Sequence, residues 1–332
     1  MKSVLWVVAA VVLVALVAAA AWLWTPDREL AALERDHLAA PGDLQAVAGT
    51  VLHVRDSGPR DAPALVLIHG FGASLHTWEP WAKALQGDHR VIRFDLPGSG
   101  LSPPDPSRDY TDGRSLALLA ALMDRLGVAR ATIVGHSIGG RIAWKFAAAM
   151  PDRVDKLVLI SPDGFASPGF EYGRAPQVPS ILKLMRYALP KALLRMNLAP
   201  AYADPSRLDD ATVTRYHDLA LAPGARAAML ERMQQTVLED PLPILRRIRA
   251  PTLLLWGEQD AMIPLANAQD YLKAMPNATL VPLPGAGHVP HEETPDAALV
   301  PVRRFIDHEV RREASRAQTG TAGVGPGPTS GP

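Results

Sequence analysis

The chain has 332 residues, which suits one catalytic domain of roughly 250 residues with further segments attached. Lys plus Arg (34) equals Asp plus Glu (34), so the formal charge is +0. A nucleic-acid binder normally shows a basic excess or stripe, so no nucleic-acid partner is expected. There is no cysteine, which excludes disulfides, thiolate catalysis and cysteine-ligated metals.

From Val4 to Trp24 the chain carries no charge, no Gly and no Pro. Roughly 21 such residues span about 30 Å as a helix, the thickness of a bilayer's hydrocarbon core. Trp22 and Trp24 sit where interfacial aromatic anchors are expected. The segment predicts a transmembrane signal anchor over residues 1–24. A cleaved signal peptide competes, since Ala19-Ala20-Ala21 offers a cleavage site, although the apolar run exceeds the usual h-region of about 7–15 residues. A buried core helix is the third reading. Lys2 and the very short tail before a large domain place that domain on the non-cytoplasmic (periplasmic or extracellular) side. Arg28 and Arg35 on the far flank leave the charge bias small.

Residues 25–42 read as a stalk or short helix, with Leu30, Leu33 and Leu38 near helical spacing. An antiparallel pair is expected over Val47–Asp56 around Gly49. Continuous apolar runs follow at Ala64–Ile68, Arg90–Phe94, Ala131–Val134, Lys156–Ile160, Thr252–Trp256 and Ala278–Val281. Strands buried on both faces read this way. Helical patterns lie between them, near Leu75–Leu85, Ser115–Leu126, Ile138–Ala149, Asn267–Met275 and Pro295–Val310. Such alternation indicates a mostly parallel α/β sheet covered on both sides. The rhythm breaks over residues 163–249, where helical pieces are punctuated by prolines. That interval is expected to be a helical cap inserted into a core of residues 43–162 and 250–312. The Gly-, Pro-, Ser- and Thr-rich end, residues 313–332, is expected to be disordered.

Four short motifs carry chemistry. Gly135-His136-Ser137-Ile138-Gly139 lies between a strand and a helix, the setting of a G-x-S-x-G nucleophile elbow. A chance match is the bland reading of so short a pattern. His69-Gly70-Phe71-Gly72 follows a core strand and resembles an HGxG oxyanion loop, with His69 read as a brace for the loop. Asp260, just past the strand ending at Trp256, sits where a strand's carboxyl end meets a ligand crevice, with Glu258 as a nearby decoy. Gly285-Ala286-Gly287-His288 sets a histidine behind a flexible turn, with His291 as its competitor.

Taken together, in the order Ser, acid, His, these motifs resemble the α/β-hydrolase superfamily from about Val47 to Val310. The loop Asp95-Leu96-Pro97-Gly98-Ser99-Gly100 is similar to that family's D-x-x-G-x-G. The resemblance implies an α/β-hydrolase fold with Ser137 as nucleophile, His288 as general base and Asp260 as the acid orienting it. The backbone N–H groups of Phe71 and Ile138 would form the oxyanion hole. Asp163, after the strand ending at Ile160, occupies the position that carries the acid in some members. No cofactor or metal is required.

Carboxylic ester hydrolysis is the first expectation, with a small-molecule or lipid-like ester as partner and an anchor holding the enzyme at the membrane. A serine nucleophile disfavours the dehalogenase and epoxide-hydrolase branches. Carbon–carbon hydrolysis of ring-cleavage products is the alternative, weakened by Val289 where some of those enzymes carry an aromatic residue. A non-catalytic binding role, or transfer to an acceptor other than water, also stays open. Lys183, Arg186, Lys191 and Arg195, interleaved with apolar residues, suggest either a basic amphipathic lid or an ordinary cap with solvated cations.

Overall fold

The structure is a computed structural model that describes residues 2–166 and 171–320. In chain order the elements are α1 (Lys2–Leu23), α2 (Leu30–His37), β1 (Leu44–Val47), β2 (Thr50–Ser57), β3 (Ala64–Ile68), α3 (Glu79–Leu85) and β4 (Arg90–Phe94). Next come α4 (Asp112–Arg125), β5 (Ala131–His136), α5 (Ile138–Ala149) and β6 (Val154–Ile160). Then follow α6 (Ser180–Lys183), α7 (Lys191–Leu198), α8 (Asp210–Ala220), α9 (Ala225–Gln235) and α10 (Leu242–Leu245). The chain closes with β7 (Thr252–Gly257), α11 (Ala268–Ala274), β8 (Ala278–Leu283), α12 (Pro290–Glu293) and α13 (Pro295–Gly320).

The strands form one eight-stranded sheet in the order β1-β2-β4-β3-β5-β6-β7-β8. The two pairings β1–β2 and β2–β4 are antiparallel, and every later neighbour is parallel. Period-two alternation feeds two separate cores. Val66, Ile68, Leu157, Leu159, Leu254 and Trp256 face α4, α5 and α11. Their neighbours Leu65, Leu67, Val158, Ile160, Leu253 and Leu255 face α3 and α13. Each such buried side chain contributes about 1.5–3 kcal/mol relative to exposure. The sequence therefore commits both faces of the central strands to burial. Helices α6 to α10 fill the interval between β6 and β7, forming the cap insertion of this α/β-hydrolase fold.

The segment expected to be a stalk is held against the cap. Thr25 N donates to Tyr187 O at 2.8 Å, and Arg226 pairs with Asp27 at 2.6 Å. Arg28 pairs with Asp218 at 2.6 Å, and Leu33 of α2 is fully buried with Leu101, Leu219, Ala222 and Ala225. At the other end, α13 continues to Gly320, into the span expected to be disordered; residues 321–332 lie outside the described residues.

The membrane anchor requires correction. Among the described residues, no helix is long and apolar enough to cross a membrane. The transmembrane anchor, the membrane as a partner, and the non-cytoplasmic placement that followed from them are not supported.

One buried carboxylate joins the sheet to the loops above it. Asp95, fully buried, accepts from Leu75 N at 2.6 Å and Leu101 N at 2.9 Å, and meets His53 Nδ1 at 2.7 Å. Gly100 sits at φ +57°, and a Cβ there would lie 1.9 Å from Asp95 Oδ2. Burial alone would raise the Asp95 pKa, but the neighbouring histidines, His53 foremost, hold it down at about 2. His76 close by is pushed down to about 4, mainly by burial. Asp95→Ala would leave two buried N–H groups and an imidazole without their acceptor. It is expected to cost roughly 3–5 kcal/mol, read as a lower urea midpoint. The same groups set a pH dependence. A half-buried, neutral His76 supports stability fully above about 6.5 and loses that contribution as pH falls towards its folded value of about 4. Asp95 adds a second loss as pH falls below about 3.8 towards about 2. Melting temperature is expected to be level near pH 7–8 and to decline below pH 6.5; a flat profile down to pH 4 would contradict this.

Candidate active site

The site is built at the carboxyl ends of β3, β5, β7 and β8. Ser137 follows β5 directly and takes φ +52°, ψ −119°. A non-glycine residue at positive φ is strained and persists only where its surroundings impose it. Here they do so by close backbone approach. A Cβ at Gly139 would lie 2.3 Å from Ile68 O, and one at Gly135 would lie 2.2 Å from Gly139 O. Ser137 N donates to Ile160 O at 3.0 Å, and Ser137 O accepts from Arg141 N and Asp163 N. The turn is thus pinned on both sides while α5 begins immediately behind the serine. Its N-terminal N–H groups and macrodipole favour negative charge there.

His288 lies in the loop after β8. Its Nδ1 is 2.8 Å from Asp260 Oδ2. The carboxylate is an acceptor, so Nδ1 carries the hydrogen and Nε2 is left as the bare nitrogen. The second oxygen, Asp260 Oδ1, accepts from Met262 N at 2.9 Å and Ile263 N at 2.8 Å, which fixes the carboxylate's orientation. Among the described residues no hydrogen bond joins Ser137 Oγ to His288. In unliganded serine enzymes that contact commonly tightens only when substrate binds.

The competing residues are placed elsewhere. His291 is fully buried, lies 3.0 Å from Thr77 Oγ1 and stacks on Trp78 at 4.3 Å. Burial, with the nearby His288, drives its pKa down to about 3. Asp163 pairs with Arg141, not with His288, and its carbonyl accepts from Trp144 Nε1. Glu258 is exposed. His69 accepts from Leu96 N at Nε2 and donates from Nδ1 to Gly70 O, so it braces the loop bearing Phe71. Among the described residues no cluster of His, Asp or Glu is arranged to hold a metal ion.

Phe71, Ile138 and Ser99 line a small cavity of about 10 Å³, closed from the cap side by Met229 and Arg232 of α9. That volume holds about one water. Cap helix α9 therefore lies against the loop bearing Phe71 and the start of α5.

Several supporting residues carry no sequence motif. His136 donates from Nε2 to His288 O at 2.8 Å, and its ring lies 4.7 Å from that of His288. Burial holds its pKa well below the usual imidazole value. Glu293 accepts from Gly287 N at 2.7 Å and from Asp204 N, a cap residue, at 2.9 Å. His288 N donates to Ala201 O of the cap at 2.7 Å. The His288 loop is thereby tied to the elbow on one side and to the cap on the other. Only the position of His136 beside Ser137, inside the elbow motif, could have pointed to one of these residues.

A family model described as the alpha/beta hydrolase fold matches residues 63–295. The "Putative carbamate hydrolase RutD" of Pseudomonas savastanoi pv. phaseolicola is 33% identical over 69% of this chain and 87% of that protein. A meta-cleavage product hydrolase from Pseudomonas fluorescens IP01 superposes with a TM-score of 0.67 at 22% identity, covering 80% of this chain and 99% of that one. A membrane phospholipase A described as a bacterial virulence factor superposes with a TM-score of 0.66 at 26% identity, covering 93% and 99%. With that match across the sheet, the elbow and the histidine loop, the chain belongs to the α/β-hydrolase fold family and carries its serine-hydrolase type of machinery.

Proposed function

We propose that Ser137 attacks a substrate carbonyl carbon and forms an acyl-serine intermediate that water then hydrolyses. The observation that carries this reading is the pairing of a strained, pinned Ser137 with an Asp260–His288 couple whose bare nitrogen is Nε2. His288 Nε2 takes the serine proton as the Oγ–carbon bond forms. Asp260 holds the tautomer and stabilises the imidazolium. The N–H groups of Phe71 and Ile138 receive the oxyanion in a water-poor pocket, where each such donor is worth about 2.7–4 kcal/mol. His288 then passes its proton to the leaving group and activates the deacylating water.

Two classes of scissile bond fit this chemistry. Hydrolases of ring-cleavage products recur among the solved structures that superpose on the chain. They favour carbon–carbon hydrolysis over the simple ester that the motifs alone put first, although at 22–23% identity the likeness speaks for the fold. The ester reading keeps two observations of its own. Val289 follows His288, and the phospholipase superposes over more of this chain at higher identity.

The deciding experiment assays the full chain on a ring-cleavage dienoate and on a series of p-nitrophenyl esters, each beside Ser137→Ala. Turnover of at least one class is expected, falling about 10³-fold or more in Ser137→Ala. Faster dienoate cleavage assigns the carbon–carbon class, and ester turnover alone assigns the ester class. Equal rates from Ser137→Ala and wild type would reject the mechanism. A second test separates the histidines. His288→Ala is expected to lose activity on a similar scale, whereas His291→Ala keeps most of it; the reverse pattern would move the general base to His291.

A further inference from the structure

Among the described residues the buried arginines are paired, with one exception. Arg90 meets Asp56 at 2.8 Å, Arg93 meets Glu79 at 2.7 Å, Arg226 meets Asp27 at 2.6 Å, and Arg141 lies between Asp112 and Asp163. Arg232 is only 6% exposed, yet among the described residues no carboxylate lies within ion-pair distance of it. Its contacts are one hydrogen bond to Pro97 O at 2.9 Å and the face of Tyr110, 5.2 Å from the ring centroid.

A guanidinium has five donors, and burying its charge unpaired is costly. Burial lowers the Arg232 pKa to about 10, while Tyr110 and the more distant Asp112 and Asp105 pull it the other way; it stays far above neutrality, so the charge is retained. The place where that charge is held matters. Arg232 lines the same cavity as Phe71 and Ile138, the residues whose N–H groups face the reacting carbonyl in the reading above. Cap helix α9 therefore brings a cation with no direct ion pair to the cavity beside Phe71 and Ile138, next to apolar Met229.

We propose that Arg232 recognises a carboxylate on the acyl part of the natural substrate, with cap helix α9 drawing back to admit a group larger than the single water that the cavity of about 10 Å³ beside Phe71 and Ile138 holds. This rests on the acyl-serine reading for the location of the chamber. A carboxylate matches the planar fork of a guanidinium and would supply the direct ion pair that Arg232 lacks. The substrate class is then an acyl compound ending in an acid, such as a half-ester of a dicarboxylic acid.

The test compares mono-4-nitrophenyl glutarate with 4-nitrophenyl valerate, which share a chain length and differ in terminal charge. The full chain is expected to favour the glutarate in kcat/KM. Arg232→Gln is expected to reduce that preference about tenfold or more, and Arg232→Lys to retain part of it. Glutarate binding, followed by calorimetry, provides a readout independent of turnover. Ser137→Ala should bind as wild type does, and Arg232→Gln about tenfold more weakly. An Arg232→Gln protein of unchanged circular dichroism with an unaltered preference and unaltered glutarate binding would overturn the proposal, as would a wild type that binds no glutarate. Glutarate binding that depends on Arg232, in a protein whose hydrolysis survives Ser137→Ala, would reject the serine mechanism while leaving the anion site standing.

Discussion

At the turn between β5 and α5, main chain meets main chain with no room for a side chain. Gly135 packs on Gly139, and Gly139 packs on the carbonyls of Ile68 and His69 at the end of β3. That contact forces Ser137 into positive φ and brings the loop bearing Phe71, after β3, beside the start of α5. The rest of the site is arranged around it. The sheet order β3-β5-β6-β7-β8 then sets the ends of β7 and β8 close enough for Asp260 and His288 to meet at 2.8 Å. Strain of roughly 1–3 kcal/mol at such a residue is sustained because both buried cores, one on each face of the sheet, hold the strands and α5 in place.

The second dependence runs through the cap. His288 and Val289 donate to Ala201 O, Glu293 bridges Gly287 to Asp204, and α9 closes the cavity with Met229 and Arg232. The N-terminal strap holds that cap from outside, through Asp27 on Arg226 and Arg28 on Asp218. Cap position, histidine orientation and access to the cavity beside Phe71 and Ile138 are therefore coupled mechanically. A displaced cap would release the histidine loop and open the chamber together.

Much of this was legible in the residue pattern. Unbroken apolar runs such as Leu65–Ile68 can be satisfied only by burial on both faces, so the parallel sheet followed from local sequence. The elbow, the HGxG loop and the Gly-x-Gly-His turn each encode a backbone need in a few adjacent residues. What stayed hidden depends on contacts distant in the chain. Arg232 reads as one charge among many on a cap helix until its burial and its lack of a carboxylate are seen. Glu293 looks like part of an acidic pair, and its bonds to Gly287 and Asp204 have no local signature. The N-terminal apolar run misled because composition suggested a bilayer span that the described residues do not supply. Likewise the spacing of Leu30, Leu33 and Leu38 indicated a helix but not that Leu33 seats against the cap.

The central claim is that one strained serine is the group that becomes acylated. The most direct measurement treats the full chain with a fluorophosphonate and maps the modified peptide by mass spectrometry. The account predicts a single stoichiometric adduct on Ser137, slowed strongly in His288→Ala. An adduct on another residue, or an unreactive Ser137 in a folded protein, would contradict it.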